Sequence, residues 1–178
     1  MASPPPPAPK LSALGISPHR LSLAGRKVGG RCVKPTKQNN RHTPCRRPIK
    51  LTISYTLNTT ASVTFALTVA TPGRKVGGRC VKQTSKNKSH ARCTLTTPVN
   101  GTITVQGKAG ANTFTFTGTI GGHTLAPGSY QLTAIPSAGG HTGTPQTVKF
   151  TLVRRQQRAR STQHHAPASA IPAPGTPF

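Results

Sequence analysis

No aspartate or glutamate occurs anywhere in the 178 residues, while lysine and arginine total 24, for a formal net charge of +24. Salt bridges between side chains cannot form, so every cation must be balanced by water, small anions or a partner. Carboxylate acid/base pairs, Ser-His-Asp triads and carboxylate-held magnesium or calcium all need groups that this chain lacks. Such a chain repels itself and attracts polyanions. Tryptophan is absent and aromatics make up only 4% of residues, which limits the core to a modest size. No run of eighteen apolar residues exists, so no membrane-spanning helix is expected. The opening MASPPPPAPK lacks the apolar stretch of a signal peptide.

Eighteen glycines, eighteen prolines and abundant threonine, set against few long helix formers, point to an all-β fold. Residues 1–10 read as a Pro-rich disordered segment. Residues 155–178 read as a tail, basic at first and then Pro/Ala-rich and disordered. Between them, residues 11–154 show period-2 alternation in about seven strands, the pattern of a β-sandwich. In IKLTISYTL the inward set is Ile49, Leu51, Ile53, Tyr55 and Leu57; in SVTFALTV it is Val63, Phe65, Leu67 and Val69. Further strands carry Ile103 and Val105, Phe114 and Phe116, Tyr130, Leu132 and Ala134, and Val148, Phe150 and Leu152. A first strand across LSALGISPHRLSL is interrupted by Pro18 and is expected at a sheet edge.

The decapeptide GRKVGGRCVK stands at residues 25–34 and again at 73–82, within a longer repeat (25–45 and 73–93) in which 14 of 21 positions are identical. It lacks the P-loop pattern and leads into no helix, so no nucleotide cofactor is expected. With no sustained alternation in either copy, the repeat reads as two long basic loops. Each copy holds one Cys-x12-Cys unit, Cys32 with Cys45 and Cys80 with Cys93, and equal spacing in both favours a disulfide within each copy. Loop closure of this size stabilises by about 3 kcal/mol in the chain-entropy model. Disulfides imply an oxidising compartment and hence a secreted or cell-surface location. Two alternatives remain open at this point. His42 and His90 turn the spacing into Cys-x9-His-x2-Cys, a zinc-like set short of a fourth ligand, and the neighbouring cations could activate a thiolate.

If the strands alternate in direction, both copies leave the body at one pole. The cations there are Arg26, Lys27, Arg31, Lys34, Lys37, Arg41, Arg46 and Arg47 in the first copy and its flank. The second copy supplies Arg74, Lys75, Arg79, Lys82, Lys86, Lys88 and Arg92. With the RRQQRAR segment they bring 19 of 24 cations to one end. These residues are the expected polyanion-binding set, with cell-wall polymer or nucleic acid as partner. No catalytic residues, metal site, cofactor or small-molecule substrate are expected.

The succession GRKVGGRCVKPTKQNN, ISYTLNTTASVTFAL, the second GRKVGGRCVK, GKAGANTFTFTG and LAPGSYQLTA resembles immunoglobulin-like β-sandwich modules of secreted and surface actinobacterial proteins. It is also similar in outline to the Ig-like domains of flagellar hook-capping proteins. The resemblance spans about residues 11–154. It departs after Ile135, where an Asp before the glycine turn is usual and this chain reads PSAGGHTG. It implies an Ig-like sandwich, export and a non-catalytic structural or adhesive role, with Tyr130 resembling a tyrosine corner. The alternative is a nucleic-acid-binding protein that grips phosphates without reading sequence.

Overall fold

A computed structural model describes residues 8–154. The chain is all-β, and the described residues contain no helix. Its strands are β1 (Leu11–Ser17), β2 (Arg20–Ser22), β3 (Ala24–Val28), β4 (Arg31–Val33), β5 (Pro44–Arg46), β6 (Leu51–Leu57), β7 (Ala61–Val76) and β8 (Arg79–Lys82). They continue with β9 (Arg92–Gly107), β10 (Gly110–Phe116), β11 (Thr119–Ile120), β12 (His123–Thr124), β13 (Gly128–Ala138), β14 (His141–Thr142) and β15 (Gln146–Val153).

The body is two sheets packed face to face. One has the order β1-β6-β10, entirely antiparallel. The other runs β2-β15-β13-β7, with β9 on the far side of β7; only β2 and β15 are parallel. The expected inward residues of β6 are all buried, as are Val63, Phe65 and Leu67 of β7, because alternation turns every second side chain to the interior. Phe65 joins the layers, its ring 5.7 Å from that of Tyr55 and 4.9 Å from that of Phe114. No polar or charged side chain is buried among the described residues. Val69, Ile103, Val105 and Val148 of the larger layer pack against the core but stay partly exposed, since a layer of three strands does not cover one of five; Phe114, on the edge strand β10, is partly exposed as well.

Three expectations need correction. The first strand lies at an edge as expected but is two strands, not one: the chain breaks at Pro18, which has no N–H to give a ladder, and crosses between layers, so that β1 pairs with β6 and β2 with β15, each at the edge of its sheet. The Pro-rich segment ends before its assumed boundary. Pro9 is fully buried, and Lys10 exchanges hydrogen bonds with Asn58, its N–H donating to Asn58 Oδ1 at 2.7 Å and its carbonyl accepting from Asn58 N at 3.1 Å. The two basic segments are not loops but small sheets. Residues 1–7 and 155–178, with the tail predicted there, lie outside the described residues.

Candidate functional site

Each copy of the repeat folds as a winding three-stranded antiparallel unit, a meander only in the loose sense, because its first strand is central and the other two flank it. In the first, β3 pairs with β4 (Val28 opposite Arg31, Lys27 opposite Cys32) and with β5 (Gly25 opposite Cys45). The second repeats this register 48 residues on, with the far end of β7 central: Lys75 lies opposite Cys80 on β8, and Gly73 opposite Cys93 on β9. The turns are Gly29-Gly30 and Gly77-Gly78, with φ of 54° and 76° in one copy and 56° and 78° in the other. A two-residue hairpin with positive φ at both positions favours glycine there.

Disulfides Cys32–Cys45 and Cys80–Cys93 close within the copies, each with Cα atoms 5.9 Å apart. The outer strands of a flat three-stranded sheet lie roughly 9.6 Å apart. Each meander is therefore curled, and its disulfide crosses the central strand over a glycine. A Cβ on Gly25 would strike both sulfurs, and one on Gly73 would come to 2.7 Å from Cys80 Sγ. With all four sulfurs bonded to one another, no free thiol is present. Among the described residues no set of three His, Cys, Asp or Glu side chains could hold a metal. The zinc and thiolate alternatives are overturned.

The segment after β4 is held by an asparagine. Asn39 Oδ1 accepts from Thr36 N at 2.7 Å and its Nδ2 donates to the Lys34 carbonyl at 2.9 Å. Asn87 makes the same bonds to Thr84 N, 2.7 Å, and the Lys82 carbonyl, 3.0 Å. A guanidinium then ties this segment to the central strand. Arg26 donates to the His42 carbonyl at 3.2 Å and Asn40 Oδ1 at 3.1 Å; Arg74 donates to the His90 carbonyl and Gln83 Oε1, both at 3.0 Å.

The pole expected from strand direction is present. Arg46 NH2 donates to the Leu125 carbonyl at 2.7 Å, and Pro127 and Arg154 wall a groove on the first meander, while Ser129 walls one on the second. Both meanders thus flank residues 125–129. Lys27, Arg31, Lys34, Lys37, Arg41, Arg46, Lys75, Arg79, Lys82, Lys86, Lys88 and Arg92 are exposed. Arg26, Arg47 and Arg74 do not simply face outward as expected. They are half-buried and bonded to backbone, Arg47 through the Ser22 carbonyl at 3.2 Å, because curled backbone leaves carbonyls that a guanidinium satisfies. Arg46 also lies near Tyr130, whose phenol donates to the Ala126 carbonyl at 2.7 Å. Burial raises the Tyr130 pKa above its usual value, and the Arg46 cation opposes that rise.

Arg154, the first residue of RRQQRAR, stands at the end where strand direction placed it, and the pairing of β13 with β15 brings Pro127 beside it. One feature was missed from the sequence. The amide acceptors for the two arginines come from non-equivalent positions, Asn40 and Gln83, which an alignment of the copies scores as mismatches.

Comparison with known proteins finds no matching family, curated protein or solved structure. Fold and site together define an all-β protein that carries its charge on two curled, disulfide-closed meanders at one end.

Proposed function

We propose that this protein is a non-catalytic extracellular or cell-surface module of immunoglobulin-like type whose basic pole binds anionic polymer. One observation carries the reading: 15 of the chain's 24 cations lie in residues 25–48 and 73–93, both at the same end of the body, with no side-chain carboxylate to neutralise them. Such a concentration of one sign draws a polyanion to that end.

Several details support the finer parts of the proposal. The layer order β1-β6-β10 against β2-β15-β13-β7-β9, the parallel β2–β15 pair and the bond from Tyr130 to Ala126 all suit an immunoglobulin-like sandwich. Two disulfides suit an oxidising location. Every described Phe and Tyr lies in the body, so the pole offers a base no ring to stack on except the imidazoles of His42 and His90. That favours a wall-type polymer of phosphate-linked polyols over single-stranded nucleic acid.

The test is binding of the full chain to poly(glycerol phosphate) and to a DNA duplex, between about 50 and about 300 mM salt. Affinity for the polyol phosphate should fall linearly on a log–log plot against salt. The variant Lys27→Gln, Arg31→Gln, Lys75→Gln, Arg79→Gln should bind at least about tenfold more weakly. No binding at the lowest salt, or no effect of these substitutions, would overturn the reading; tighter binding to the duplex would transfer it to nucleic acid.

A further inference from the structure

Given a polyanion-binding pole, we infer that it holds two discrete phosphate sites, one on each meander, of unequal strength. Eight positions that line the groove on the first meander recur, 48 residues on, in the lining of the groove on the second. Among them are Gly25 and Gly73, Arg26 and Arg74, and Cys45 and Cys93. The duplicated sequence therefore builds the same concavity twice: a glycine and disulfide for floor, an arginine at the edge.

That arginine is what makes each concavity a site. A guanidinium carries five N–H donors. Two N–H groups of each arginine are engaged within its meander, Arg26 with His42 and Asn40, Arg74 with His90 and Gln83. Three donors per arginine are left, on a head already held in place. Fixing the donor beforehand removes the ordering cost that a flexible surface lysine incurs on binding, and the planar fork suits a phosphate oxygen pair. No carboxylate exists in the chain to occupy those donors instead.

The inequality comes from the positions at which the copies differ. Lys37 and Arg46 line the first groove, and their counterparts in the second copy are Ser85 and Thr94. Arg154 adds a further cation to the first, so four cations surround a volume of about 1180 Å³. In the second, Arg74 and Arg92 share about 610 Å³. Pro127 belongs to the first wall and Ser129 to the second. Residues two apart lie within about 7 Å, so the two grooves have walls close together in the chain, near enough for one flexible chain of phosphates to reach from one to the other.

Titration of the full chain with inorganic pyrophosphate, followed by the amide resonances of Gly25 and Gly73, tests this directly. Both should shift to saturation, Gly25 at about tenfold lower concentration. The double variant Lys37→Gln, Arg154→Gln should weaken the Gly25 site at least about fivefold and leave Gly73 unchanged; Arg92→Gln should do the reverse. These three side chains donate to no protein acceptor among the described residues, so the fold should persist, and a dispersed amide spectrum checks it. Unsaturated shifts scattered over the lysines, or equal sites indifferent to the variants, would overturn the inference. Failure of the broader reading looks different: the glycines titrate with pyrophosphate while poly(glycerol phosphate) does not bind. If the polymer binds but the groove variants have no effect, the pole is a diffuse charge field without sites.

Discussion

Gly25 and Gly73 show how one missing atom sets the architecture around it. Each is buried beneath a disulfide that crosses its strand, so even alanine places a methyl group where sulfur already sits. Gly73→Ala is therefore expected to hinder formation of the Cys80–Cys93 bond when the reduced chain folds in air, leaving two titratable thiols per chain and a loss of about 2–4 kcal/mol in that unit. Retention of both disulfides on thiol titration would contradict this. The two tyrosines of the core make a second test. Burial lifts the phenols of Tyr55 and Tyr130 above 10.0. Folded protein thus keeps protons that the unfolded chain releases, and this stabilisation is complete below pH about 10 and lost as pH rises through the folded values. Tyr55→Phe should leave neutral stability nearly unchanged and flatten the decline above about pH 10. Tyr130→Phe should in addition cost about 1 kcal/mol at neutral pH, because the Ala126 carbonyl loses its donor.

At the scale of the element, the meander accounts for many of the identical positions of the repeat, though not for Lys27, Val28 and Arg31 or their exposed counterparts. The turn glycines, the cysteines, the threonine and asparagine after β4, and the arginine of the central strand each make a contact found in both copies. Where the copies diverge the contact is either absent or re-sourced, as Asn40 and Gln83 illustrate. Little apolar area secures the unit: Val28, Val76 and Val81 are among its exposed side chains. Covalent closure and side-chain bonds to backbone take the place of a core. Reduction should therefore collapse hydrogen-exchange protection across residues 24–46 and 73–93 while β6 and the body half of β7 keep theirs, since their stability comes from the sandwich core. Asn39→Ala should deprotect residues 34–43 alone, by about 1–2 kcal/mol, for the loss of two hydrogen bonds.

For the whole molecule the missing carboxylates govern behaviour in solution. Acid unfolding usually follows protonation of native-state carboxylates, and this chain has none on its side chains. Its melting temperature should stay flat from about pH 5 to about pH 3 at a constant ionic strength of about 0.15 M. A drop of more than about 10 °C would refute the argument. Sulfate or phosphate should raise the midpoint more than chloride at equal ionic strength, by screening the pole and by occupying its grooves.

Local pattern was enough for the all-β class, the buried faces of β6 and β7, and the cysteine partners, because alternation and equal spacing express themselves within a few residues. The strands of the meanders escaped the same reading. At three to five residues, β3, β4 and β5 are too short for alternation to register, and their exposed charges hide the pairing. Crossing of the first strand between layers depends on contacts far apart in sequence, whereas the shared end of the two meanders follows from counting strand reversals along the chain. The sequence by itself determined how many cations the protein carries and that nothing within it neutralises them. Only the tertiary structure decided which of them are tied to backbone carbonyls and which line a groove, because a guanidinium's role depends on the acceptors that folding brings within about 3 Å of it.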